Sequence, residues 1–264
     1  MPLDKMIFGH RISDIPSEMP ERTQEPIPAE VSSTGLSFLV GEFGQAVLKE
    51  YEGRAKADYC NQKALNVLSY SGEEGIVNGS NPFAAVLVNQ IVQPKLHVAT
   101  QADLERILKS VSLALQGIYE DSGLVLRSEG EPNSYLARNL YTQIKERNKK
   151  QKLPVMIPLA GLELVNDQNS PHGLAFNLKE KAEIIHAPEL GHKNNGKKFQ
   201  EVNERGLPIF GKNGNRTLST RNSGLSRLYL DRGLDLGSRG AYLADSDDGG
   251  RVVVVDGSAF GASH

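Results

Sequence analysis

The side chains of this 264-residue chain best suited to chemistry are six histidines, a glycine-rich loop and a crowd of aspartates near the C-terminus. Among His10, His97, His172, His186, His192 and His264, only His186 and His192 lie close together, six apart across Pro188 and Gly191. That spacing fits neither the i, i+4 pair of a metal-binding helix nor a zinc finger, so no metal site is expected. An enzymatic reading would make one of these two the base of a small hydrolase, with a partner the sequence does not identify. "GKNGNRT" (211–217) lacks the GxxxxGK[ST] spacing of a phosphate loop, and Glu73 and Glu74 read as a solvated pair. From Asp245 the chain runs DSDDGGRVVVVD. Asp245, Asp247, Gly250 and Asp256 take calcium-loop places 1, 3, 6 and 12, but place 5 is Gly249 and the second half is a valine strand. The match is partial. No catalytic residue, metal or cofactor is expected.

A different pattern runs through "GLSRLYLDRGLDLGSRGAYLADSDDGGRVVVV" (224–255). The 21 residues Tyr229 to Gly249 contain no Lys, Glu, Gln, Met or Trp, although outside them 20 glutamates stand against seven aspartates. Turn preference for Asp and Gly accounts for part of this bias. Codons with a fixed pyrimidine at the third base account for all five absences. Such codons encode Asp, Arg, Tyr, Ser, Gly, Ala and Leu, and never the five missing types. Tyr offers rigid contact area, and Arg, Asp and Ser offer hydrogen bonds, so the chemistry implied is recognition rather than turnover.

With "GLSRL" at 224–228, the irregular alternation after it and "GRVVVV" at 250–255, the segment resembles the C-terminal variable region of a target protein of a diversity-generating retroelement. "NGNRT" and "RNSGLSRL" resemble the constant lead-in of such regions, particularly in archaeal and small-genome bacterial lineages. The resemblance covers about 50 residues, and the lack of tryptophan departs from many members. It implies adenine-directed mutagenesis at asparagine codons and a C-type lectin fold. It also implies ligand-binding varied positions at Tyr229, Asp231, Arg232, Asp235, Gly237, Ser238, Arg239, Tyr242, Asp245, Asp247 and Asp248. Leu228, Leu234, Leu236, Leu243 and Ser246 would be the fixed scaffold. The partner would be a protein or surface ligand of unknown identity, and this Asp-rich version would favour a basic or polyhydroxyl epitope.

Elements must hold such a face in place. Residues 1–32 carry Pro16, Pro20, Pro26 and Pro28 and read as an extended arm. Residues 33–264 read as one α+β domain, C-type-lectin-like at its C-terminal end, with a helical N-terminal part and a binding region at 224–255. Helices are expected over 41–68, from a spacing of four through Phe43, Val47, Tyr51, Ala55 and Tyr59; over 81–92; and over 100–118, where Thr100 and Asp103 cap a face of Leu104, Ile107, Leu108, Val111 and Leu115. Another is expected over 135–150, with Leu136, Leu140 and Ile144 inward and basic residues at its C-terminal end. Strands are expected at 123–128, 155–165, 173–178, 183–187 and 251–255, and about 60 residues before the last read as turns. The net charge of -2 gives no reason to expect nucleic acid. The single Cys60 excludes an intrachain disulfide. No apolar run of membrane-spanning length and no secretory leader is read, so display on a virion or cell surface, as a monomer or an oligomer, would need another route.

Overall fold

Local signals explain where two of the helices begin. The computed structural model describes residues 36–110, 115–246 and 248–256, together with the short pairing of Met6–Ile7 with His10–Arg11. The rest of the 1–32 arm and Val111 of the expected third helix lie outside the described residues. Helix α1 spans Gly41–Ala57, α2 Pro82–Val92, α3 Gln101–Ser110 and α4 Ser134–Arg147. At α2 the Asn81 side-chain oxygen accepts from the Ala84 N–H at 2.8 Å, and Pro82 occupies the first turn. At α3 the Thr100 hydroxyl accepts from the Asp103 N–H while the Asp103 carboxylate accepts from the Thr100 N–H at 2.9 Å. The first helix ends eleven residues before the expected limit. Cys60 and Asn61 adopt φ of 52° and 51°, and two successive left-handed residues cannot continue a right-handed helix. Tyr59 still reaches the core, its hydroxyl donating to the Leu164 carbonyl at 3.1 Å.

The apolar content of α2 on all its faces lets it sit in the middle of the core. Phe43, Val47, Tyr51 and Ala55 of α1 are buried in the same cluster, and Phe83 stacks on Phe176 at 4.8 Å. Strands Leu162–Asn166 and Leu174–Leu178 form an antiparallel hairpin against α2 and α4.

Beside this layer runs a nine-stranded mixed sheet. Its order is Ile185–His186, Val155–Pro158, Tyr119–Leu126, Leu225–Leu230, Leu236–Ser238, Arg216–Thr220, Lys198–Val202 and Pro208–Phe210, with Gly250–Arg251 parallel to the start of Tyr119–Leu126. The final valines leave that sheet: Val253–Asp256 pairs with Leu36–Phe38 and with Leu96–Val98 in a separate three-stranded sheet. The class is α+β. The expectation of a long turn region before the valines is corrected, because five strands lie within 198–238. They are short, a register shift interrupts Leu225–Leu230 between Leu228 and Tyr229, and the buried Ser226 and Arg227 break the apolar alternation that would reveal it. Among the described residues no helix is long and apolar enough to cross a membrane.

The central strand Tyr119–Leu126 carries two adjacent buried acids, Glu120 and Asp121. Glu120 is 2% exposed and its Oε1 meets no partner. Burial, and then the Asp121 charge, push its carboxyl well above the usual range, against the pull of Arg251 and the Val253 N–H. The folded state therefore holds this proton more tightly than the unfolded chain does. Its contribution to stability is complete below the ordinary carboxylate range and is lost as pH rises through the raised value. Glu120→Gln is expected to raise the melting temperature by several degrees at pH 8 and to leave it nearly unchanged at pH 4, measured by circular dichroism. An equal shift at both pH values would contradict this assignment.

Candidate binding face

Three arginines, Arg216 and Arg227 buried and Arg127 partly buried, tie the biased segment to the rest of the molecule. Arg227, in the strand Leu225–Leu230, donates to both carboxylate oxygens of Asp121, from Nε at 2.7 Å and from Nη2 at 2.6 Å. Its Nη1 donates to the Asp245 carbonyl at 2.9 Å. The guanidinium also lies over the rings of Tyr119 and Tyr229, 5.3 and 5.7 Å from their centroids. Burial would pull its pKa down, but Asp121 outweighs burial and holds it above the usual value. Arg216, at the start of Arg216–Thr220, pairs with Glu105 of α3 at 2.6 Å, stacks on Phe199 and donates to the Leu234 carbonyl at 2.5 Å. Arg127 has no carboxylate partner among the described residues. It donates to the Leu190 carbonyl, and to the hydroxyls of Ser226, Thr220 and Ser238 at 2.8, 2.6 and 2.6 Å. Burial, and then the nearby Arg221, lower its pKa to about 10.

Amides and hydroxyls complete the frame. The Asn81 Nδ2 donates to the Ala244 carbonyl at 3.0 Å, and the Asn133 Nδ2 to the Ala241 carbonyl at 2.7 Å. The Ser80 N–H donates to the Ser246 hydroxyl at 2.7 Å. Arg221 donates to the Arg239 carbonyl, the Gly117 N–H to that of Arg232 and the Tyr119 N–H to that of Gly249. The backbone between 232 and 249 is thus held largely by groups outside it.

The eleven sequence-selected positions divide by burial. Tyr242 is 75% exposed, and Arg232, Arg239, Asp245 and Asp248 are exposed as well. Tyr229 is half-buried: its ring covers Gly237, meets Tyr119 edge-on at 6.3 Å and lies near Arg239. Arg239 and Arg227 oppose the upward pull of burial on the Tyr229 hydroxyl. Tyr229 and Asp245 therefore sit above one guanidinium, that of Arg227, with Arg239 beside the tyrosine. Arg232 packs against Gly249.

Asp231 and Asp235 are partly buried and have local duties. One Asp231 oxygen accepts from the N–H groups of Gly233 and Asp235, at 2.9 and 3.1 Å, closing a turn in which Leu234 takes φ of 66°. Asp235 accepts from the Thr217 N–H at 2.5 Å. A glutamate is one methylene too long for the Asp231 geometry, so turn chemistry by itself accounts for Asp over Glu there.

Gly237 and Ser238 must be removed from the ligand-facing set. Both are buried, and a Cβ at Gly237 would clash with the Tyr229 ring at its Cζ. Ser238 is 0% exposed, and its hydroxyl accepts from Arg127. Asp247 lies outside the described residues. The expected scaffold leucines Leu228, Leu236 and Leu243 are fully buried, while Leu234 is partly buried.

No protein-family model, curated protein or solved structure matches this chain. The frame rests on residues that the sequence reading did not select: Asn81, Asp121, Arg127 and Asn133. No local signal marked them: Asp121 stands between Glu120 and Ser122, Arg127 is followed by Ser128 and Glu129, and Asn133 sits between Pro132 and Ser134. His186 and His192 are exposed, and the His186 Nδ1 lies 3.0 Å from the Lys152 carbonyl. The calcium-like stretch is divided between two sheets, Gly250 pairing with Tyr119 and Asp256 with Leu96. Among the described residues no three His, Cys, Asp or Glu side chains gather as a metal site would require.

Proposed function

We propose that this chain is a ligand-binding protein whose C-terminal face is diversified by adenine-directed retroelement mutagenesis, carried on a C-type-lectin-like frame. One observation carries the reading. The carbonyls of Leu234, Arg239, Ala241, Ala244 and Asp245 are held by side chains outside the biased segment. Side chains exposed along it, namely Arg232, Arg239, Tyr242, Asp245 and Asp248, can then change without moving the chain that bears them. Tyr242 and the half-buried Tyr229 supply rigid contact area, and the arginines and aspartates supply directional polar contacts. The ligand is a protein or surface group, met by a protein displayed on a virion or cell surface. No catalytic step or cofactor belongs to this function.

Sequencing sibling gene copies from one population tests it. Differences are expected at Tyr229, Arg232, Arg239, Tyr242, Asp245 and Asp248, always in codons with a pyrimidine third base. Arg227, Leu228, Leu236 and Leu243 should be unchanged. Lys or Glu codons at the differing positions, or differences scattered evenly through the gene, would defeat the proposal.

A further inference from the structure

Arg127 and Arg221 keep N–H donors that meet no acceptor. Arg127 Nη1 carries two hydrogens and meets one acceptor, the Ser226 hydroxyl at 2.8 Å. The hydroxyls around it are already committed, that of Thr220 to the Leu190 carbonyl at 2.7 Å and that of Ser226 to the Ser238 carbonyl at 3.0 Å. Arg221 donates through Nη1 to the Arg239 carbonyl at 2.9 Å, while its Nε is buried with no partner. The two arginines bind at consecutive residues: Arg127 donates to the hydroxyls of Thr220 and Ser238, Arg221 follows Thr220 and donates to the Arg239 carbonyl, and the Arg221 charge helps to lower the Arg127 pKa. Among the described residues neither pairs with a carboxylate. Glu189, whose Oε2 is itself buried and unpartnered, forms no ion pair with either. Two adjacent positive charges without a counter-ion, each with a spare N–H, are the reverse of the buried pair Arg227–Asp121. The buried Arg221 Nε–H is a donor that an anion would satisfy.

We infer that Arg127 and Arg221, flanked by the exposed Arg239, form an oxyanion-binding subsite at the rim of the face, taking a carboxylate, sulfate or phosphate group. Guanidinium forks match these groups with paired, charge-assisted hydrogen bonds. Arg127 directly follows the strand Tyr119–Leu126 and Arg221 directly follows Arg216–Thr220, both outside 229–249, so the pair stands whether or not that segment is diversified.

Isothermal titration calorimetry with sodium sulfate, sodium phosphate and sodium acetate, at ionic strength fixed with sodium chloride, tests it. The wild-type chain is expected to give saturable heat with at least one of the three. A response to sulfate or phosphate alone assigns a tetrahedral group, and one to acetate assigns a carboxylate. Arg221→Gln should weaken binding about tenfold or more, while Arg138→Gln, which removes an equal charge from the exposed side of α4, should change it less than about twofold. Should Arg221→Gln fail to fold by circular dichroism, Arg221→Lys keeps the charge, loses the fork and should weaken binding about threefold or more. No saturable heat from any of the three anions, or wild-type affinity in the folded Arg221 variant, would overturn the inference.

Discussion

Replacing Asp121 by alanine is expected to cost about 3–5 kcal/mol of stability, because it leaves the Arg227 guanidinium buried without its counter-charge. The Asp121 side chain is 0% exposed and that of Arg227 10%, so water cannot readily take the place of the lost carboxylate. For a chain of this size the melting temperature should fall by roughly 8–15 °C. The damage should spread beyond the pair. Arg227 also holds the Asp245 carbonyl and lies under Tyr229, and the Ser80 hydroxyl donates to the same Asp121 carboxylate at 2.7 Å. A double variant, Asp121→Leu with Arg227→Met, should recover much of the loss, since two apolar groups leave no charge to desolvate. Thermal unfolding of the three proteins provides the comparison. A single variant as stable as the wild type would show that the pair does not anchor the face.

Arg216→Ala should be nearly as costly, again about 3–5 kcal/mol. It strands the Glu105 carboxylate, whose side chain is 7% exposed, and takes the donor from the Leu234 carbonyl. It also removes the guanidinium stacked 4.6 Å over the Phe199 ring. Leu234 stands in a left-handed turn that its neighbours must hold in place, so the Asp231–Asp235 turn should loosen first. Urea unfolding should give a lower midpoint, and hydrogen exchange should quicken at the Gly233 and Asp235 amides. Faster exchange throughout the sheet, with none specific to the turn, would mean that Arg216 supports the core alone.

How much of this was legible in the sequence depends on the range of the physics. Helix starts depend on residues three or four apart, and Thr100 with Asp103 announced that of α3. The end of α1 depended on two left-handed residues, Cys60 and Asn61, neither of them glycine, and the apolar spacing ran on through Tyr59 without revealing it. The strands of the last third escaped because their buried faces are partly polar. Ser226 and Arg227 look like loop residues until Arg127 and Asp121, about 100 positions away, are seen to satisfy them. Sequence bias singled out the segment 229–249 but could not separate its exposed side chains from its buried ones. Gly237 is fixed by a tyrosine ring and Ser238 by a distant arginine, and neither contact leaves a local trace.

On this face a backbone secured from outside lies beneath interchangeable side chains. Saturation mutagenesis of 224–255, sorted for folded protein, measures this position by position. Arg239, Tyr242, Asp245 and Asp248 should accept nearly every residue, Asp231 should accept asparagine but not glutamate, and Arg227, Leu236, Gly237, Ser238 and Leu243 should accept almost none. If Tyr242 and Asp245 proved as intolerant as Leu236 and Ser238, the face would be an ordinary part of the fold and the account would fail.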